Sequence, residues 1–307
     1  MQHYHSLEAV SLTGSWLTIG VFDGVHLGHQ EIIHQLTAGA HANGAPAVVL
    51  TFFPHPTMVL TGTEPKWLTT PDERAEILAG LGVDVVITHP FDRPTAALSS
   101  EEFMARVKKH LDVRTLLVGY DFALGRNRTG NLTRLTEIGH EMGYAVLPLD
   151  AIEGDGQIIS STLIRQQLSD GNVTGAAAKL GRNYALSGPV IHGFARGRTI
   201  GIPTANLEVP PEKVMPANGV YACWAWMDAE KYKAVVNIGV RPTFTNGEVV
   251  PRVEAHLLNF DADVYGRTIK LEFVEHLRSE QKFPGIDALV AQIKLDITKA
   301  TETLEGG

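Results

Sequence analysis

Apolar residues in the first half of the chain fall into short runs separated by helical patterns. The runs are Leu17 to Phe22, Ala47 to Phe53, Val83 to Thr88, Thr115 to Val118 and Ala145 to Leu149. They predict the strands of a doubly wound parallel sheet, apolar because both sheet faces are covered. Between them, Thr70-Pro71-Asp72-Glu73 supplies a cap, a first-turn proline and a capping-box acid for a helix that ends near Leu81-Gly82. Ser99-Ser100-Glu101-Glu102 opens another helix in the same way. The expected architecture is a Rossmann-like α/β domain, in which ligands bind beyond the carboxyl ends of the strands.

Near Gly181-Arg182-Asn183-Tyr184 this rhythm gives way to alternating strands: Tyr184 to His192, Gly219 to Met227, Tyr232 to Ile238, Arg252 to Asn259 and Thr268 to His276. Asn246-Gly247 and Tyr265-Gly266 are turn signals between them. A small antiparallel β-barrel follows from this pattern. It is closed by a C-terminal helix whose stripe of Ile286, Leu289, Val290, Ile293 and Ile297 should pack on the barrel. The expected domains are 1–180 and 181–307.

A chain of 307 residues has length for two cores. Its formal net charge of -8 offers no basic field for nucleic acid or an anionic membrane. The absence of a leader-like N-terminus or a long apolar stretch points to a cytoplasmic protein without a membrane partner. Cys223 is the single cysteine, so no intrachain disulfide can form; within Val220 to Trp226 it reads as a structural strand residue.

Candidate chemistry begins where the first run meets its helix, in Gly20-Val21-Phe22-Asp23-Gly24-Val25-His26-Leu27-Gly28-His29. Gly20 and Gly24 let backbone approach a ligand, with the helix continuing from Gln30 to Leu36 and Ile32, Ile33 and Leu36 inward. Its start offers unpaired amides and a positive dipole end. His26 and His29 share the face of its first turn, placed to donate to phosphate oxygens during phosphoryl or nucleotidyl transfer. A zinc pair is the weaker reading, because no further His or Cys lies nearby at ligand spacing. Further on, Ser160, Ser161 and Thr162 precede a helix carrying Arg165, a set suited either to capping or to holding polyphosphate.

In the second half, Gly193 to Asn206 is dense in loop chemistry. Gly193, Gly197 and Gly201 permit a phosphate-wrapping loop, Arg196 and Arg198 bring charge, and Thr204 and Asn206, flanking Pro203, offer hard oxygens suited to magnesium. The segment has no Gly-Lys-Ser/Thr ending, which excludes a Walker loop. A plain structural turn is the alternative.

Four segments together carry a resemblance: Gly20 to His29, Pro54-His55-Pro56, Gly119-Tyr120-Asp121-Phe122 and Ser160 to Arg165. In order and spacing they resemble the adenylyltransferase half of bacterial bifunctional riboflavin kinase/FAD synthetases. The segment Gly197 to Asn206 is similar to the GRxxGxPTAN signature of riboflavin kinases, and Arg252 to Phe260 with Asp263 to Gly266 is similar to the segment holding the kinase base. The resemblance implies that riboflavin is phosphorylated to FMN and FMN is adenylylated to FAD, with ATP and magnesium. It implies ATP contacts at Gly20, Phe22, Asp23, Gly24, His26, His29, Ser160, Ser161, Thr162 and Arg165. FMN would lie near Pro54, His55, Pro56 and Asp121. Kinase ATP would meet Gly193, Arg198, Gly201, Pro203, Thr204 and Asn206, with Thr204 and Asn206 on the metal and Glu254 as base. Without the resemblance, a solvated strand carboxylate paired with Arg252 or Lys270 is the favoured reading of Glu254, and strand alternation alone leaves its direction open.

A nucleotidyltransferase with another acceptor would leave the second domain unexplained, and a flavin-binding regulator without catalysis is opposed by the intact His26, His29, Thr204, Asn206 and Glu254. The chain departs from the family pattern at Phe53, Ile158 and Asn183, where relatives often carry Glu, a basic residue and Pro. Only the lost cation at position 158 touches pyrophosphate chemistry, where its loss is expected to weaken adenylyl transfer; Arg165 remains, and Arg126 or Arg128 is the candidate for a partial substitute. Adenylyl transfer should rise in Ile158→Arg if that cation limits the rate; an unchanged rate in a product assay counts against it.

Overall fold

The computed structural model describes residues 1–63, 65–119, 121–149, 153–154, 157–193, 197, 200–242 and 249–306. The Asn246-Gly247 turn, together with Tyr120, Phe194, Ala195, Arg196, Arg198 and Thr199, lies outside these residues. The chain divides into two compact units, Met1–Ser161 and Thr162–Gly307.

The first unit is built on a six-stranded parallel sheet of β1 (Gln2–Tyr4), β2 (Trp16–Ile19), β3 (Ala47–Phe53), β4 (Val85–Pro90), β5 (Thr115–Gly119) and β6 (Ala145–Leu149). Spatial order is β1-β4-β3-β2-β5-β6. The winding therefore reverses between β2 and β5, and such a switch point opens a crevice at the strand ends.

Both sheet faces are covered, as the unbroken apolar runs required. On one face Leu17, Ile19, Leu50 and Leu116 pack against Phe103 and Leu111 of α5 (Ser100–Leu111) and against Leu135 and Ile138 of α6 (Leu132–Met142). On the other, Val49, Val86 and Leu117 meet Ile33 and Leu36 of α1 (Leu27–Ala42) and Ala75 and Leu78 of α3 (Pro71–Gly80). The capping boxes expected at Thr70/Glu73 and Ser99/Glu102 are both formed.

In this unit the third expected strand begins later, at Val85, and ends at Pro90, and two further strands depart from the sequence reading. The first run stops being a strand at Ile19, because the chain turns there with Phe22 and Val25 in the left-handed region at φ 50° and 40°. β1 was not expected: Gln2, His3 and Tyr4 carry no apolar run, and their strand exists through parallel pairing to β4 at the sheet edge.

The second unit is a closed six-stranded barrel of β9 (Tyr184–Ile191), β10 (Ala205–Leu207), β11 (Gly219–Met227), β12 (Glu230–Pro242), β13 (Val249–Leu257) and β14 (Thr268–Arg278). Tyr184, Leu186, Gly188 and Val190 alternate inward along β9, as a half-buried strand should. β10 closes the barrel by pairing with both β13 and β9. It lies in the segment whose glycines and proline read as loop. Cys223 is fully buried in β11, and burial pushes its thiol well above the ordinary value, as a structural cysteine requires.

The C-terminal helix α9 (Ile286–Glu305) packs on β11, β12 and β14. Only its later half is core: Ala300 and Leu304 are buried, whereas Ile286 is 65% exposed. The apolar stripe thus serves two purposes, packing at one end and, at Ile286, Leu289 and Ile293, walling a cavity.

β9 runs so close to the chain leaving β10 that a Cβ on Gly188 would lie 2.1 Å from the Glu208 carbonyl oxygen. Backbone cannot swing away as a side-chain tip can. Gly188→Ala should therefore lower stability by about 1–3 kcal/mol, overriding the roughly 0.5–1 kcal/mol that Ala gains over Gly within a strand. Urea unfolding checks this, and a raised midpoint would contradict it.

Candidate functional site

The turn after β2 is held from behind by a buried carboxylate. Both Asp23 oxygens accept the Leu68 backbone N–H at 3.0 Å, and Oδ1 also accepts Thr69 N–H at 3.0 Å. The Arg74 guanidinium lies 3.9 Å from the same oxygen, itself donating to Thr51 Oγ1 at 2.9 Å and sitting 4.8 Å over the Trp67 ring. Burial pulls Arg74 down from its ordinary value to about 10, opposed by Asp23, so it stays charged at neutral pH. Gly24, with φ +79°, gives its N–H to Thr69 Oγ1 at 3.0 Å. Asp23 therefore faces protein donors with its side chain, and its carbonyl accepts from Ser161 Oγ at 2.9 Å.

This frame presents α1. His26 is its N-cap, with Nδ1 accepting the His29 backbone N–H at 3.3 Å, which leaves the neutral ring's proton on Nε2. The His26 and His29 rings stack with centroids 3.6 Å apart and 19° between planes, and Phe22 meets His29 edge-on at 5.1 Å. A Cβ at Gly28 would press on the His26 imidazole at 3.2 Å, which accounts for the small residue between the histidines. Burial first, then His26 and Arg74, holds His29 well below the ordinary histidine value. His29 Nδ1 is buried without a hydrogen-bond partner. The residue as a whole is only half-buried, so a neutral His29 keeps an edge from which it could donate to an anion.

Beside the turn lies a cavity of about 590 Å³. Gly20, Phe52, His55, Pro56, Asp121 and Arg128 are among its lining, and Phe91, Phe103 and Phe122 make it aromatic. His55 caps α2 (Pro56–Thr61) by accepting the Thr57 N–H at 3.2 Å. Arg128 Nη2 donates to the Asp121 carbonyl at 3.1 Å, placing a cation at this wall. Ile158 is 57% exposed on the short antiparallel pair of β7 (Glu153–Gly154) and β8 (Gln157–Ile158). Of the hydroxyl segment, Ser160 and Ser161 belong to the first unit, whereas Thr162 and Arg165, on α7 (Ser161–Ser169), belong to the second.

In the barrel, register decides the site. Asn206 pairs with Glu254 across β10 and β13, and Glu254 pairs with Asn237 across β13 and β12, so three polar side chains form one row. Glu254, Asn237, His256 and Thr204 line a cavity of about 610 Å³ shared with Arg278 and with Leu289 of α9. Glu254 also pairs with Arg252 at 3.2 Å, whereas Lys270 pairs with Glu272 at 2.8 Å. Thr204 lines a second cavity of about 530 Å³ with Gly201, Pro203, Asp263 and Tyr265.

Asn206 Oδ1 is buried and unpartnered, a hard oxygen left for a cation, and a Cβ at Gly193 would lie 2.2 Å from Asn206 Nδ2. These donors fit magnesium. Arg198 lies outside the described residues.

The family model for FAD synthetase matches residues 9–163, and that for riboflavin kinase matches residues 180–304. Bifunctional riboflavin kinase/FMN adenylyltransferase of Escherichia coli (strain K12) is 39% identical over 97% of this chain and 95% of its own. The chain belongs to the bifunctional riboflavin kinase/FMN adenylyltransferase family. The Bacillus subtilis (strain 168) enzyme is 37% identical, over 97% of this chain and 95% of its own. A crystal structure described as a macrolide-efflux protein from Streptococcus pneumoniae matches with TM-score 0.90 and 32% identity, covering 97% of this chain and 98% of that one. No helix among the described residues of this family member is long and apolar enough to cross a membrane.

The sequence reading missed Arg74, Asn237, Arg278 and Asp296. Arg74 stands among the charged residues Asp72, Glu73 and Glu76, which read together as a solvated helix start. Arg278 grips Asp296 through Nε at 3.0 Å and Nη2 at 2.8 Å, fixing α9 against β14, and only the acid placed inside an apolar stripe hinted at it.

His29 also sets a pH dependence. Above its unfolded value near 6.5 neither state is protonated; below it the unfolded chain takes the proton that the folded chain refuses, so stability falls as pH falls. Urea unfolding from pH 7.5 to about 5.5 should cost the wild type more stability than His29→Gln. Equal losses would contradict the enclosed neutral ring.

Proposed function

We propose that the chain's two reactions are divided between its two ends, with the adenylylating part drawn to residue 180 so that it keeps Thr162 and Arg165, and the kinase part from 181 to 307. Riboflavin is phosphorylated by ATP to FMN, and FMN is adenylylated by a second ATP to FAD with release of pyrophosphate. The observation that supports this most directly is Thr204, which lines both barrel cavities while Glu254 lines only one. A phosphoryl donor in the smaller cavity and a flavin in the larger would then meet at Thr204.

In the barrel, Glu254 takes the proton from the riboflavin hydroxyl as it attacks the γ-phosphorus and the bond to the leaving ADP breaks, provided the hydroxyl comes within hydrogen-bond reach. Its hydrogen bond from Arg252 Nη1, at 3.2 Å, fixes where the carboxylate points. Thr204 and Asn206 would hold magnesium, which supplies charge neutralisation on the nucleotide phosphates. Gly193, Gly201 and Pro203 shape the loop around them.

At the sheet, the α1 amides and the His26 and His29 rings bind the ATP phosphates and stabilise charge as the FMN phosphate attacks the α-phosphorus. Gly20, Phe22, Asp23 and Gly24 act by setting the turn, Asp23 through its frame and not by touching phosphate. Ser160 and Ser161 meet the same anion, and the flavin occupies the aromatic cavity near Pro54, His55, Pro56 and Asp121. Neither step needs a covalent enzyme intermediate, so catalysis rests on position and charge.

His29→Ala should abolish FAD formation from FMN and leave FMN formation from riboflavin, and Glu254→Ala should do the reverse. Chromatography of products from riboflavin and, separately, from FMN reads both. Loss of both activities in either folded variant would overturn the division.

A further inference from the structure

A second cluster of metal-ligand side chains lies apart from both sites, at the edge of the parallel sheet. His3 is in β1, His5 follows it, and Asp72 is in the first turn of α3. One ligand atom from each lies within 4.8 Å of the other two, the one such grouping of His, Cys, Asp or Glu among the described residues. We propose that His3, His5 and Asp72 form a site for a late first-row divalent cation, zinc being the representative, that ties edge strand β1 to the start of α3.

The His3 ring is already oriented for this. Its Nε2 lies 2.9 Å from Thr88 Oγ1 on β4, and its Nδ1 faces Asp72 Oδ1 at 3.6 Å. A ligand histidine ordinarily gives its second nitrogen to such a partner, which fixes the tautomer and turns the other lone pair toward the metal. The His3 and His5 rings lie 4.6 Å apart, tilted by 53° and not stacked flat, so both can turn a nitrogen to a common point. Zinc bonds of roughly 2.0–2.2 Å put ligand atoms about 3.5 Å apart. Asp72 is 81% exposed and His5 is exposed, so both can close the remaining gap by rotating. Water would complete four-coordination.

The electrostatics are mixed, and they favour binding. Burial, His5 and Arg74 lower His3, against Asp72, so the imidazole is neutral and ligating at pH 7. The Arg74 charge opposes a cation, but that guanidinium is directed to Thr51 and Thr69. Two imidazoles and one carboxylate select zinc, nickel or copper over magnesium. The site is therefore distinct in kind from the oxygen donors at Thr204 and Asn206. Its geometric consequence is structural: β1, three residues long and paired on one side only, gains a second tether.

The test is a zinc titration of the full, tag-free chain without nucleotide or phosphate, read by competition with a chromophoric chelator, alongside thermal unfolding. One zinc per chain should bind and raise the unfolding midpoint, with magnesium doing neither. His5→Ala and Asp72→Asn change exposed side chains, and each should weaken binding by about 10-fold or more, with unchanged circular dichroism without metal. Zinc affinity unchanged in both variants would overturn the proposal by placing the ion elsewhere, the His26/His29 pair included. Absence of stoichiometric binding would overturn it outright.

Discussion

The adenylylating half depends on one buried charge pair. Asp23 is 2% exposed and Arg74 fully buried, and between them they fix a turn that would not otherwise persist. Phe22 and Val25 hold left-handed backbone, at an expected cost of about 1–3 kcal/mol each. Two donors to Asp23, the Leu68 and Thr69 amides, bring in a segment 45 residues away, so tertiary contacts over-determine the turn. Removing one member of such a pair typically costs about 3–5 kcal/mol, a large share of a domain's roughly 5–15 kcal/mol. Stability has been committed here to hold a helix start open at the switch point of the sheet. The same Arg74 helps keep His29 neutral, linking the frame to the chemistry.

The barrel solves its problem through register. Pairing sets Asn206, Glu254 and Asn237 opposite one another, and a shift of one residue would turn the row to the other face. Close packing at Gly188 and Gly193 keeps β10 in place despite its three residues. At the other side of the larger cavity, the Arg278 fork on Asp296 positions the apolar wall of α9. Apolar wall and polar row together suit a ligand with an aromatic body and a hydroxylated tail.

Much of this was legible in the sequence for identifiable reasons. Parallel strands buried on both faces leave continuous apolar runs, and the helices at Thr70 and Ser99 announce themselves through capping boxes. His26 and His29 were legible because strand, glycine turn and helix follow one another within a few residues. β1 and β10 were not, since both are three-residue strands whose existence comes from neighbours' hydrogen bonds and not from their own pattern. Arg74 was hidden for a similar reason: a lone arginine on a helix reads as solvated until the fold places Asp23, Thr51 and Trp67 around it. The left-handed conformations of Phe22 and Val25 defeat local propensity, and the residues that defeat it stand at the turn leading into α1.

The proposed division of the two reactions makes FMN the product of one half and the substrate of the other. Mixing separately purified His29→Ala and Glu254→Ala chains with riboflavin and ATP tests it most directly. FAD should form after a lag, as FMN made by the first variant is used by the second, while the double variant forms none. A mixture that accumulates FMN but never FAD would contradict the account.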